Sequence, residues 1–585
     1  MKKSIFILLS LFLIFLFHAC VDFENLNIDP SNPPYIPGEV DPNVDGKGLE
    51  LNYKLSGKEL EELKASQASI GKVFARFTYE GCFNDYQITT NLTHDIYAGY
   101  MANNTPSFHE SSPTYVYNDD WSKRRWEHFY DDRTATEYAQ LIKTFHFVDS
   151  VKYKNAFHLT RIYYAFLLSM HTDTYGDIPL DYYLKGLLPP EQNVSYTSQS
   201  EVYSYIFRML DEAVKEIDPV NRNQYIFDAS DDKCFQGNVL KWLRFANTLR
   251  LRLALRISNA DPVKARTEGE AAMRNVYGLM RSHDDNMRTI PKYAPLDLGG
   301  ENASASENIF ALVSYDWKSA LLSYDLAKAY YNQSAIEDPR ASVLWWRPTP
   351  VAMLDKGIEN TDKKFAGMRI GDPGITTSTA GEKYSIVRTL KTIDSKRLDA
   401  RHWFGYSREI VWLGYAESKF LLAEAALRGW GGTEKDAESY FLEGITESMK
   451  YYEIASQEIT TYLENLYYKN ARQNIFQSQN KEALLEMIIT QKWLAVFPNG
   501  NEGWAEFRRT DYPALENIVE NNSDGDVMDG KFIKRISYPY IENKNPNKPK
   551  GVLQGTRVWW DISDTNNDRG ERLSPDNFGA FRIKR

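Results

Sequence analysis

A mostly helical, all-α fold, with long irregular loops and a few short strands, is what this sequence predicts. Three observations carry that expectation. Beyond residue 56 apolar residues recur at helical spacing over most of the chain. Turn-rich stretches, too long to be simple connections, separate the helical segments. Aromatic residues reach 14% of the 585, with 38 Tyr, 29 Phe and 13 Trp. Such rings bury large areas between helices. A ring left exposed in a loop can instead cover the C–H face of a sugar.

The chain opens with Lys2 and Lys3 and an apolar run from Ile5 to Phe17, broken only by Ser10. A membrane-spanning helix needs about 20 apolar residues. This run is shorter and ends at the small Ala19, as a secretory signal peptide does. The Cys20 thiol then becomes the candidate for lipidation, with residues 1–19 removed. Phe17 and His18 depart from the usual lipobox, and the alternative is ordinary cleavage near Ala19 that leaves a free thiol. Asp22 and Glu24 resemble the acidic tag of surface-exported lipoproteins. Residues 20–48, rich in Pro, Asn, Asp and Gly, read as an extended tether, and residues 49–585 as a single helical domain.

Periodicity predicts helices near 57–80, 118–146, 154–174, 199–217, 235–259, 261–276, 318–334, 407–429, 433–453 and 481–496. Between 277 and 317 and from 335 to 406 the pattern breaks. Ala341–Trp346 reads as a strand. From Trp504 onward helix signals are weak. The segments 407–429 and 433–453 form a hairpin across Gly429–Thr433, in which Ala437, Phe441 and Gly444 give the small–large–small spacing of a tetratricopeptide unit. Residues 154–174 and 199–217 form a second pair. Trp126, Tyr164, Trp242 and Trp493 fall within helices and read as core. Arg250 sits on an apolar helix face, as do Glu417 and Glu424. A buried charge needs a partner, so Arg250 is expected to pair with Glu417 or Glu424.

A net charge of −10 repels phosphate backbones and argues against nucleic acid as a partner. Cys82 and Cys234 could form a disulfide, but two buried thiols is the preferred reading. The sequence has no Gly-x-Ser-x-Gly elbow, phosphate-binding loop or His-Glu-x-x-His helix, and no cofactor is expected. Asp564, Asn566 and Asp568 begin like a calcium loop. Arg569 and Pro575 then stand where Gly and Glu are needed, so no metal site is assigned. One rival reading is a helical-barrel glycoside hydrolase using a carboxylate pair such as Asp119-Asp120, Asp131-Asp132 or Asp284-Asp285. Another is a structural scaffold that contacts only proteins.

Five motifs in order carry a family resemblance: "LNIDPSNPP" (Leu26–Pro34), Tyr175-Gly176-Asp177-Ile178-Pro179 directly after a helix, "KWLRFANTLRLRLALRIS" (Lys241–Ser258), "QKWLAVFPNGNEGWAEFRRTDYP" (Gln491–Pro513) and "KRISYPYIENKNPN" from Lys534. Asp338–Arg340 adds a further match. With the lipoprotein-like leader, this order resembles the SusD/RagB family of outer-membrane nutrient-binding lipoproteins. The resemblance implies a SusD-like fold with four tetratricopeptide-like hairpins and no catalysis. It implies lipid anchoring at the cell surface and docking onto a SusC-like TonB-dependent transporter. The implied ligand is an oligosaccharide or polysaccharide, or in some members a peptide. It also points to two binding segments, one after the early helices and one central. Here these are Thr93–Phe108, with Tyr97, Tyr100, Asn103, Asn104 and Phe108, and Tyr293–Trp317, with Tyr315, Asp316 and Trp317. Trp345 and Trp346 are rivals, although a strand would bury one of them.

Overall fold

Short polar caps start many of the helices that periodicity predicts. Ser56 and Ser198 each accept the amide three residues on, and Glu59 and Glu201 return to the cap backbone, closing two capping boxes. Asn238, Asp261, Ser323, Asp338, Asp436, Asn480 and Asn499 cap others through one side-chain acceptor each.

The computed structural model describes residues 51–561, except 52–54, 82–86, 104–110, 131–133, 181–193, 290–319, 355, 357, 374–376, 389–408, 468–475 and 477–479. Its helices are α1 (Gly57–Ser66), α2 (Ile70–Glu80), α3 (Asp119–Tyr130), α4 (Ala135–Asp149), α5 (Lys154–Tyr175), α6 (Gln199–Glu216), α7 (Val239–Arg256) and α8 (Pro262–Arg274). They continue with α9 (Tyr324–Asn332), α10 (Pro339–Leu344), α11 (Val351–Leu354), α12 (Thr377–Lys383), α13 (Tyr415–Leu427), α14 (Ala437–Tyr451), α15 (Ser456–Glu464), α16 (Lys481–Val496) and α17 (Gly500–Thr510). A π-helix spans Gln87–Asp95. The strands are β1 (Met101–Asn103), β2 (Met287–Thr289), β3 (Ala320–Leu322), β4 (Trp345–Trp346), β5 (Ile386–Val387) and β6 (Ile410–Leu413). The fold is mostly helical with few short strands, as the sequence predicts.

Consecutive helices pack as hairpins: α5 with α6, α7 with α8, and α13 with α14. In the last pair a Cβ on Gly444 would stand 2.7 Å from the Phe420 ring, so only glycine lets the two helices approach this closely. The Tyr175–Pro179 stretch leaves α5 as expected. Gly176 turns the chain at φ 80° with its amide on Thr172 O, and Ile178 bridges to Thr197. Trp126, Tyr164, Trp242 and Trp493 are all in the core. Cys234 is a buried free thiol, while Cys82 lies outside the described residues. No helix among the described residues is long and apolar enough to cross a membrane.

Several element boundaries differ from the periodic reading. The 118–146 segment is two helices, α3 and α4. The 318–334 segment begins as β3, and 407–429 begins as β6. Ala341–Leu344 belongs to α10, and only Trp345 and Trp346 are strand. In each case an apolar run was too short for its period to separate strand from helix. The π-helix, α15 and α17 were not predicted. In α17 the glycines of "PNGNEG" read as turn formers. They are needed because the helix lies against other backbone: a Cβ on Gly500 would be 2.2 Å from Asp95 Oδ1, and one on Gly503 would be 2.6 Å from the Tyr100 ring.

Charge pairing needs a correction. Arg250 does pair with carboxylates, but with Glu268 (2.6 Å) and Asp211 (3.0 Å), not Glu417 or Glu424. Arg252 holds Glu417 at 2.5 Å, and Arg509 holds Glu424 at 2.7 Å. Positions two apart on a helix do not share a face. Because α7 is buried nearly all round, apolarity could not say which arginine faced α13. The pairs join a larger buried lattice. Lys492 lies 2.9 Å from Glu502 and 3.2 Å from Glu506, and Arg256 lies 2.6 Å from Glu502. Burial alone would raise the Glu424 pKa, but Arg509 and Arg428 outweigh it and hold it at about 2. Burial likewise opposes ionisation of Glu502, yet Arg252, Arg256 and Lys492 bring its pKa well below the usual carboxylate value.

Candidate functional site

The four-stranded sheet, in the order β1-β3-β5-β4, brings together stretches far apart in sequence. All its pairings are antiparallel. Asn103 pairs with Ala320, Leu321 with Ile386, Trp346 with Ile386, and Trp345 with Val387. This register puts Asn103, Ala320, Val387 and Trp345 at one end. Residue 104 continues from that end, residue 319 leads into it, and the chain leaves it again beyond Arg388. Each of three segments outside the described set, 104–110, 290–319 and 389–408, has one of its two ends there, the other ends joining Ser111, Thr289 and Glu409. Two of them contain sequence candidates: Phe108 in the first, and Tyr315 and Trp317 in the second. These three residues lie outside the described residues, as do Asn104 and Asp316.

The described candidates are more buried than the sequence suggested. Tyr100 is fully buried and its hydroxyl donates to Trp493 O at 2.6 Å, with the two rings 4.8 Å apart. Tyr97 packs 5.3 Å from Trp504 and 6.1 Å from Tyr115, and burial raises its phenol pKa above the ordinary value. Trp345 is fully buried, donates from Nε1 to the Tyr330 hydroxyl at 3.1 Å and packs 5.7 Å from Phe497. Tyr97, Tyr100 and Trp345 thus present no open ring face here. Each packs into the core, where a large ring is more stable than in water. The expectation that a strand would bury one of the two tryptophans understated the packing, since Trp346 is buried as well.

Trp346 nonetheless lies next to charge. The Arg388 guanidinium sits 3.9 Å from its ring centroid and 3.1 Å from Glu359. Asn103, buried, ends β1 at the sheet end that Trp345 shares. Sequence reasoning missed Arg388 and Glu359. An Arg over a Trp pairs residues 42 positions apart here, and no local pattern marks it. Of the acid pairs weighed for hydrolysis, Asp285 is held by Arg244 at 3.1 Å and Asp120 by Lys123 at 2.7 Å, while Asp131 and Asp132 lie outside the described residues. No cluster of His, Cys, Asp and Glu among the described residues could hold a metal ion.

Helical hairpins joined by short strands make up the described fold. The family model described as SusD-like, Susd and RagB outer membrane lipoprotein, matches residues 50–561, and the chain belongs to this family. Among solved structures, a chitin-binding SusD homologue from Flavobacterium johnsoniae is 26% identical with a TM-score of 0.68, covering 86% of this chain and 100% of its own. A SusD homologue from Bacteroides uniformis is also 26% identical at TM-score 0.68, covering 85% and 99%. One from Parabacteroides distasonis, 22% identical with a TM-score of 0.69 over 84% and 98%, shares the fold. No curated protein sequence matches the chain.

Proposed function

We propose that the protein is a cell-surface glycan-binding lipoprotein, anchored through Cys20, that takes up oligosaccharide and passes it to a SusC-like TonB-dependent transporter in the outer membrane. The family match over residues 50–561 carries this reading. The chitin binding of the Flavobacterium johnsoniae homologue supports a glycan as ligand. The net charge of −10 favours a neutral glycan over an anionic one. Binding falls to Phe108, Tyr315 and Trp317, together with Asn103, which ends β1, and Trp346 of β4. Long loops on a rigid scaffold commonly carry recognition. The protein binds and releases its ligand unchanged, and needs no cofactor.

The test is isothermal titration against a panel of neutral polysaccharides, with product analysis of the same mixtures. Saturable binding without new reducing ends supports the reading, and turnover would overturn it. Replacing Cys20 with Ala should release the protein from the membrane fraction. Co-purification with a TonB-dependent transporter tests the hand-off.

A further inference from the structure

A cleft lined in part by Phe497 lies between β6, the start of α13, the end of α14 and the α16–α17 turn. Its empty space, about 960 Å³, runs out into open solvent at the mouth. Its partly exposed aromatic walls are Tyr415 and Tyr451, set beside the buried Trp412 and Phe497. Local bonds fix the rings. Trp412 Nε1 donates to Thr289 Oγ1 at 3.0 Å, and Asn499 Nδ2 donates to Trp412 O at 3.1 Å. His283 stands edge-on to Tyr415, with ring centroids 5.6 Å apart, and at 5.6 Å from Tyr451.

The polar groups that line it narrow its occupant. Asn286 is 2% exposed. Its Oδ1 accepts the Tyr415 amide at 2.8 Å, and its Nδ2 has no partner among the described residues. Asn501 Oδ1 accepts from Arg125 at 2.6 Å, and its Nδ2 is likewise without one. A purely apolar occupant would leave those donors unsatisfied, which is costly once water is excluded. An anion is disfavoured, because no Lys or Arg lines the cleft among the described residues while Glu409 and Glu417 do. A cation finds no unmatched acid: Glu409 is 2.8 Å from Arg288, Glu417 is 2.5 Å from Arg252, and Glu447 beside His283 is 2.8 Å from Lys450. Ring faces with planar amide donors and a carboxylate acceptor at the mouth match a neutral pyranose, whose C–H face stacks while its hydroxyls bond at the edge.

We infer that this cleft is a second saccharide site, which takes one or two neutral sugar units, separate from the sheet end. Trp345 packs against Phe497 but is not among the residues that line the cleft. The inference therefore does not need Tyr315 or Trp317 to bind ligand.

Cellobiose and N,N′-diacetylchitobiose are titrated at millimolar concentration into the wild type and three variants, with binding read by calorimetry and by protein-observed NMR. Tyr451→Ala removes one wall, and Val411→Trp fills the mouth from a half-buried strand position. Trp317→Ala removes a sheet-end candidate. The expected result is saturable binding of at least one disaccharide, weakened about tenfold or more by Tyr451→Ala and by Val411→Trp, with a saturable component that persists in Trp317→Ala. Melting temperature shows which variants fold, and Val411→Trp decides if Tyr451→Ala does not. Absence of disaccharide binding to the wild type overturns the inference. So does binding that the folded cleft variants leave intact, or binding that Trp317→Ala abolishes. If Trp317→Ala loses polysaccharide while the cleft still binds disaccharide, both readings stand. If the cleft fails while polysaccharide binding persists and depends on Trp317, only the second site falls.

Discussion

The buried ion lattice and the sheet end organise this protein in opposite ways. Around α7, α13, α16 and α17, the acids Glu417, Glu424, Glu502 and Glu506 interlock with Arg252, Arg256, Lys492 and Arg509, all buried. At the sheet end, four short strands are joined by backbone bonds, and their described side chains are mainly apolar and aromatic. A buried charge is tolerated only with a matched partner, so the lattice ties each helix to particular neighbours. Strand pairing uses groups that every residue except proline carries. Chain entering or leaving the sheet end can therefore change in length and composition without unmaking the sheet.

The sharpest way to break this contrast is at the lattice. Arg509→Ala leaves Glu424 and Glu506 buried against less positive charge. It should cost about 3–5 kcal/mol in denaturant unfolding. A loss below about 1 kcal/mol would mean that the lattice does not lock the helices.

Acid should reach the same lattice. The folded-state pKa of Glu424 lies near 2, below its ordinary 4.5. Its contribution is therefore complete above pH 4.5 and is lost as pH falls from there toward 2, on the order of 3 kcal/mol in total. Unfolding free energy measured across that window should fall with a slope that Glu424→Gln reduces. An equal slope in the variant would assign the acid sensitivity to other groups.

The sheet end should respond in the opposite manner. Trp317→Ala is expected to weaken glycan binding by about 2 kcal/mol while the melting temperature barely moves. A large fall in melting temperature would make Trp317 a core residue, and the contrast between the two regions would blur.

The smallest effect sets the baseline. Lys58 and Glu62 lie 3.8 Å apart, with 86% and 64% of their side chains exposed. Lys58→Ala should change stability by less than about 0.5 kcal/mol. A larger loss would show that exposed ion pairs stabilise this frame as well.

Much of the frame was legible because its signals are local. Apolar spacing located the α5/α6 and α13/α14 hairpins, and Gly176 marked the turn after α5. The helix α17 was not legible, because Gly500 and Gly503 look like turn residues until the π-helix and Tyr100 lie against them. Tyr97, Tyr100 and Trp345 read as loop or edge aromatics, and the structure places them inside. Nothing beside them in sequence shows that Trp493, Trp504 and Phe497 will cover them.

By itself, the sequence determined the helical class, the hairpin pairs, the recognition family and the need for buried charges to be paired. These follow from periodicity, caps and ordered motifs, which are properties of residues near one another in the chain. Only the tertiary structure decided that Arg252 rather than Arg250 reaches Glu417, that the segments carrying Phe108, Tyr315 and Trp317 each have one end at the same end of the sheet, and that Trp412, Tyr415 and Tyr451 line a cleft. Each of these depends on which distant element packs against which face. On a helix as evenly buried as α7, the face a side chain presents is settled by its neighbours in space.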